Sequence, residues 1–288
     1  TEIIPGIRFD YHNSFGANWS PSLNLSQGLG DDFTLKAGIA RAFKAPNLYQ
    51  STEGYLLSTR GNGCPKDITS GSCYLLGSDD LEPEVSVNKE LGIEYAHEGY
   101  VAGITWFRND YKNKIVSGRE RVGIASNGYN ILRWENGGKA VVEGLEGNLT
   151  VPLIADTLEW RSNATYMLKS EDKETGNPLS IIPEYTINSQ LEWQITSDLS
   201  GDINWTMYGR QKPREFSESR LEVNNLSQRE IGAYSVVGLN LNYDLTKNLR
   251  ANAGVSNLLD KRIYRENDGA STYNEPGRAW YAGVTYSF

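Results

Sequence analysis

The chain has 288 residues, a formal net charge of -8 at pH 7, and 39% hydrophobic and 11% aromatic residues. The acidic balance argues against a nucleic-acid partner, and no apolar run approaches the roughly 20 residues that a membrane-spanning helix requires. The opening Thr1-Glu-Ile-Ile-Pro enters a strand directly, without the basic stretch and apolar core of a secretory leader. The expectation is that a leader has been removed or that the chain is part of a longer one.

About twelve strands are predicted, over 2–11, 18–27, 32–43, 85–97, 99–111, 139–151, 156–169, 184–196, 199–210, 232–244, 248–257 and 278–288. Several show an apolar row on one face and a polar or small row on the other. Leu158, Trp160, Ala164, Tyr166 and Leu168 alternate with Glu159, Arg161, Asn163 and Thr165; Ile187, Leu191 and Trp193 with Asn188, Gln190 and Glu192. Val237, Leu239, Leu241 and Tyr243 interleave with Gly238, Asn240, Asn242 and Asp244, and Leu249, Ala251, Ala253 and Val255 with Arg250, Asn252, Gly254 and Ser256. In the last strand Trp280, Ala282, Val284, Tyr286 and Phe288 share one side. Such rows fit a barrel wall with lipid outside and water or a plug inside. A soluble all-β protein would carry similar strands; Trp and Tyr near strand ends favour the membrane, where they form interfacial girdles.

The connections alternate in length. Turns at 27–32, 97–99, 152–155, 197–198 and 245–247 are short, whereas 44–84, 112–138, 170–183, 211–231 and 258–277 are long. Short turns at one end and long loops at the other mark the periplasmic and extracellular ends of an outer-membrane barrel. The 44–84 connection is expected to lack secondary structure, a length that a compact domain tolerates only for a functional loop.

The loop composition suggests an anionic, aromatic ligand. Lys112, Lys114, Arg119, Arg121 and Arg133 face Glu120 and Glu135 in one loop, with Tyr129 and Trp134 among them. Cations and aromatic rings together offer charge pairing and stacking; solvated loop charges or contacts to anionic surface lipid are the plainer reading. Cys64 and Cys73, the two cysteines, are read as a disulfide pinning a hairpin loop in an oxidising compartment. Closing a loop of that size contributes roughly 2.5 to 3 kcal/mol. Two buried free thiols are the alternative, and a metal site there lacks its other ligands. Asp79, Asp80, Glu82 and Glu84 lack calcium-loop spacing, so no metal is expected.

Several segments resemble the TonB-dependent outer-membrane receptor family: Arg41-Ala-Phe-Lys-Ala-Pro46, Leu81-Glu-Pro-Glu84 with Glu90-Leu-Gly-Ile93, Ser256-Asn-Leu-Leu-Asp-Lys-Arg-Ile-Tyr264, and Glu275-Pro-Gly-Arg278. Leu56 to Cys64, Trp106 to Lys114, Lys139 to Gly147 and Ser180 to Tyr185 are similar to the ferric-enterobactin receptors of that family. The resemblance implies an all-β transmembrane antiparallel barrel of about 22 strands, of which residues 1–288 form the C-terminal part, with an N-terminal plug and the first strands outside this sequence. Twelve strands could in principle also close alone.

The resemblance further implies an outer-membrane receptor and transporter of a Gram-negative bacterium, taking up ferric catecholate siderophores of the enterobactin type with energy from TonB. The ferric siderophore is the transported ligand, and no covalent cofactor is expected. Arg60 and Asn62, in a segment matching ligand-contacting residues of the family, are the leading contacts, with Tyr55 a stacking partner and Arg119, Arg121, Arg133 and Trp134 behind them; an exposed loop cation is the alternative for Arg60. Gly283, Tyr286 and Phe288 resemble the C-terminal signal read by the barrel assembly machinery. Further partners are the plug-bound TonB, outer-membrane lipid and lipopolysaccharide, and possible bacteriocins or phage.

Other classes fare less well. A barrel phospholipase or protease needs a nucleophile and base at one rim, but the sequence has only His12 and His97, expected at opposite strand ends. A passive porin fits poorly with long converging loops.

Overall fold

A computed structural model describes residues 1–13, 15–59, 72–173, 176, 178–179, 182–212, 230–264 and 274–288, the side chain of Arg119 excepted. Twelve strands form one antiparallel sheet: β1 (Glu2–His12), β2 (Gly16–Leu29), β3 (Phe33–Lys44), β6 (Glu84–His97), β7 (Tyr100–Lys112), β10 (Lys139–Ile154), β11 (Leu158–Asp172), β12 (Tyr185–Gln194), β13 (Leu199–Tyr208), β14 (Tyr234–Thr246), β15 (Leu249–Ser256) and β16 (Ala279–Tyr286). Each pairs with its neighbours in that order, a meander whose strands agree with the predicted spans to within a few residues. Among the described residues no pairing joins β1 to β16, so the sheet is open and these two are its edges.

The alternation decides which way each face points. On one face lie Ile3, Ile7 and Phe9 of β1, Leu91 and Ile93 of β6, Ile104 of β7, and Trp280 and Val284 of β16, all exposed; Ile7 and Trp280 are each 72% accessible. A soluble fold could not leave so much contiguous apolar surface bare. The opposite face is polar. There Asn163 on β11 accepts from Asn188 on β12 at 3.1 Å, and Thr206 on β13 donates to the same Asn188 at 3.0 Å, a ladder of side-chain hydrogen bonds across three strands. The buried apolar core is correspondingly small, because the wall is one sheet thick.

The long connections do not remain irregular. Residues 45–83 contain a short helix α1 (Leu48–Ser51) and strands β4 (Leu56–Ser58) and β5 (Tyr74–Leu76); residues 113–138 contain β8 (Ile115–Ile124) and β9 (Asn130–Asn136). The expectation of an unstructured 44–84 loop is therefore corrected. These four strands form a second sheet in the order β4-β5-β9-β8, in which β5 runs parallel to β9 and the other two pairs are antiparallel. No alternation could announce strands of three residues, one of which, β5, finds its partner β9 in another loop.

Candidate functional site

The second sheet stands at the end where the long connections emerge, and its packing starts from a few residues. Leu57, Leu75 and Leu132 are successive register partners across β4, β5 and β9. Cys73 and Leu132 are fully buried with Leu75, and Leu57 and Trp134 pack against this cluster. Alternation sends the intervening residues Tyr74, Ile131 and Arg133 to the other face, where Arg133 is exposed.

The approach to Arg60 is tied to the same core. Thr59 donates its N–H (3.1 Å) and hydroxyl (3.0 Å) to the Cys73 carbonyl and accepts the Cys73 N–H on its hydroxyl at 3.2 Å. Cys73 is disulfide-bonded; Cys64, the only other cysteine of the sequence, lies outside the described residues. Arg60 and Asn62 lie outside them as well. Tyr55 is 46% exposed on the turn into β4, with its carbonyl accepting the Gly77 N–H at 2.9 Å. Gly77 must lack a side chain, because a Cβ there would overlap the Thr52 carbonyl oxygen.

The other expected ligand residues distribute over both sides of the platform. Arg121, on β8 opposite Leu132, is exposed, and Arg119 belongs to the same strand. Trp134 instead serves the core: its indole N–H is buried without a partner among the described residues, and its ring lies 6.1 Å from that of Tyr49. Tyr74 and Tyr129 bring a second aromatic pair together at 6.2 Å.

A polar hub joins the two loops to the barrel rim. Asn136 accepts the Glu82 N–H at 2.7 Å and donates to the carbonyls of Glu82 (2.8 Å) and Asn113 (2.9 Å), while Asn113 donates to the Glu82 carboxylate at 2.9 Å. Glu84 accepts the Ile115 N–H at 2.8 Å and pairs with Lys44 at 3.0 Å. Glu82 and Glu84 thus hold the platform on the wall. The Leu81-Glu-Pro-Glu84 segment was visible in the sequence, but its partner Asn136 was not singled out.

A second clamp closes the connection between β15 and β16. Asn257, 3% exposed and at a left-handed φ of 49°, donates to the carbonyls of Lys261 and Pro276 (both 2.6 Å) and accepts the Lys261 N–H at 2.9 Å. Asp260 accepts the Arg278 N–H at 2.8 Å and the Arg262 guanidinium at 3.3 Å, and these bonds, the Arg278 N–H first, hold its carboxyl below the usual carboxylate range. Farther along, burial pushes the Glu275 carboxyl up.

At the chain end the Tyr286 and Phe288 rings lie 6.2 Å apart. Gly283 faces inward, where a Cβ would stand 2.7 Å from the Asn252 side-chain oxygen. The histidines lie as far apart as their strand ends require: His12 closes β1 at the loop end and stacks on Phe15 at 4.3 Å, whereas His97 closes β6 at the short-turn end and pairs with Asp32 at 2.8 Å. They cannot serve one catalytic site.

An apolar outer face, a polar inner face, short turns at one end and a loop-built platform at the other define the wall of an outer-membrane β-barrel receptor. The chain belongs to the TonB dependent receptor-like β-barrel family, whose model matches residues 2–258. Its membrane is the outer membrane of a Gram-negative bacterium. Over its whole length it is 58% identical to the ferric enterobactin receptor PirA of Pseudomonas aeruginosa and 50% identical to the ferrienterobactin receptor of Escherichia coli, spanning 39% and 40% of those proteins. A crystal structure of a point mutant of the P. aeruginosa ferric enterobactin receptor PfeA in complex with enterobactin superimposes with a TM-score of 0.90 at 53% identity, covering 99% of this chain and 43% of that one. The chain therefore spans about two fifths of the length of the receptors it matches.

Proposed function

We propose that this chain is the C-terminal part of the barrel of a receptor that takes up ferric catecholate siderophores of the enterobactin type across the outer membrane, energised by TonB. The observation that carries this reading is its identity, along the full 288 residues, with receptors named for ferric enterobactin. The platform agrees with it. A ferric tris-catecholate is an anion with aromatic faces, and exposed Arg121, Arg133 and Tyr55 of the platform loops offer fixed positive charge and ring surface.

In this reading Arg60 and Asn62 contact the ligand, the Thr59 clamp and a Cys64–Cys73 bridge hold their segment, and Trp134 supports the sheet beneath. Arg119 joins Arg121 on β8 as a further cation. An N-terminal plug and the remaining barrel strands, outside this sequence, contact TonB and complete the wall. Gly283, Tyr286 and Phe288 form the signal for the barrel assembly machinery, and the same loops are open to bacteriocins or phage.

The test is equilibrium binding of ferric enterobactin to the full-length receptor containing this segment, in detergent, with a ferric hydroxamate as control. Selective nanomolar binding is expected. Equal or absent binding would send the substrate assignment back to the wider receptor family.

A further inference from the structure

The two connections that build the platform leave the wall side by side, because β3, β6, β7 and β10 are consecutive strands of the sheet. Four stems therefore rise together, one from the end of each strand. The backbone ladder between the middle two stops at Val85 and Lys112. Above it side chains take over. Glu84, on the second stem, pairs with Lys44 of the first at 3.0 Å and accepts the Ile115 N–H of the third at 2.8 Å. The Glu82 carboxylate accepts from Asn113 of the third at 2.9 Å. Asn136, on the fourth stem, donates its two amide protons to the carbonyls of Glu82 and Asn113 and accepts the Glu82 N–H on its oxygen. A collar of side-chain bonds thus cross-ties all four stems.

An Asn in an ordinary turn bonds to its own neighbouring backbone, whereas the partners of Asn136 lie 54 and 23 residues away. Both donors and the acceptor of its side chain are engaged, so no other residue type of that length reproduces the set. Higher up, the connections hold each other: Leu75 packs with Leu132, and the Asn127 amide donates to the Tyr74 hydroxyl at 3.0 Å. Among the described residues no strand of the platform pairs with a strand of the wall. The collar is what ties the unit down. Arg133 stands three residues, about 10 Å, along β9 from Asn136. A tilt of about 10° at the collar would displace it by roughly 2 Å, several times the roughly 0.5 Å tolerance of a preorganised contact.

We propose that Asn136 is a positioning residue of the ligand platform: through the collar it fixes the stance of Arg121, Arg133 and Tyr55 at the barrel mouth and so sets the fraction of receptors poised for capture. The inference rests on the reading of the platform as the ferric-catecholate site. A group that touches the ligand shows its loss in faster release. A group that only poises the site shows it in slower capture, because binding is scaled by the competent fraction.

The test measures association and dissociation of ferric enterobactin on the full-length receptor in detergent, by stopped-flow fluorescence, with hydrogen exchange of the ligand-free receptor in parallel. Asn136→Ala is expected to lower the association rate constant about tenfold, to change dissociation less than twofold, and to leave the number of sites per receptor unchanged. Exchange should accelerate at the Glu82 amide and stay unchanged in β5 and β9, the mark of a platform that is folded but loosened on its stems. Asn113→Gly keeps the left-handed backbone at residue 113 (φ 55°) and removes only the bond to the Glu82 carboxylate. It is expected to give a smaller fall of the same kind, and it decides the question if Asn136→Ala fails to fold. Unchanged association in the folded variants, a loss carried by faster dissociation, or loss of protection in β5 and β9 would overturn this assignment alone. An unaltered receptor that does not bind ferric enterobactin would overturn the cargo reading and this assignment together.

Discussion

Asn257 and Asp260 act through backbone geometry. Both occupy the left-handed region, φ 49° and 52°, where Asn and Asp are the side chains best tolerated after glycine, and both turn that conformation into hydrogen bonds that close the loop before β16. Because the folded Asp260 pKa lies below its unfolded value, its contribution is present above pH 4 or so and is lost as pH falls through the folded pKa. Hydrogen exchange at the Arg278 amide, corrected for intrinsic rate, is expected to lose protection on acidification below about pH 4 and to stay flat above about pH 5. Asp260→Asn, which keeps an acceptor oxygen at every pH, should flatten the acid limb, and an unchanged acid limb in that variant would assign the transition to another group. For the ligand, Arg60→Ala is expected to weaken ferric-catecholate binding by about 1–3 kcal/mol, the range for a charge-assisted hydrogen bond. An unchanged Kd would remove Arg60 from the site.

At the level of elements, the barrel strands were readable because a two-residue period repeats in them for eight or more positions. The platform was not, since β4 and β5 have three residues each and β5 finds its partner β9 more than fifty residues away. Sequence reasoning placed Trp134 on the ligand-binding rim by its residue type; its packing on Cys73, Leu75 and Leu132 depends on a pairing that composition cannot encode. Gly77 tests the platform as a unit. Gly77→Ala forces a Cβ against the Thr52 carbonyl and is expected to cost about 1–3 kcal/mol of local stability. The check is hydrogen exchange in β5 and β9: both should accelerate together, roughly 5- to 150-fold, with the barrel strands unaffected. Acceleration in β5 alone would mean that the two loops fluctuate independently.

For the molecule as a whole, the open sheet is the governing fact. Among the described residues, strands β1 and β16 present unpaired backbone groups at the two edges of a wall whose outer face is apolar, and in hydrocarbon each unsatisfied group costs several kcal/mol. On the proposed reading, further strands of the same receptor pair with both edges. Residues 1–288 produced alone are therefore expected to give heterogeneous oligomers in detergent, measured by light scattering after gel filtration. A monodisperse, protease-resistant monomer would show instead that twelve strands close by themselves.

The parallel pairing of β5 with β9 has a consequence for how such receptors diversify. Two stretches far apart in the gene contribute to one small core, so a change of sequence in either must remain compatible with the other. Swapping residues 45–83 alone between related receptors would carry half of a structure, whereas transplanting 45–83 and 113–138 together would carry a complete one. The heritable unit of this loop structure is the pair.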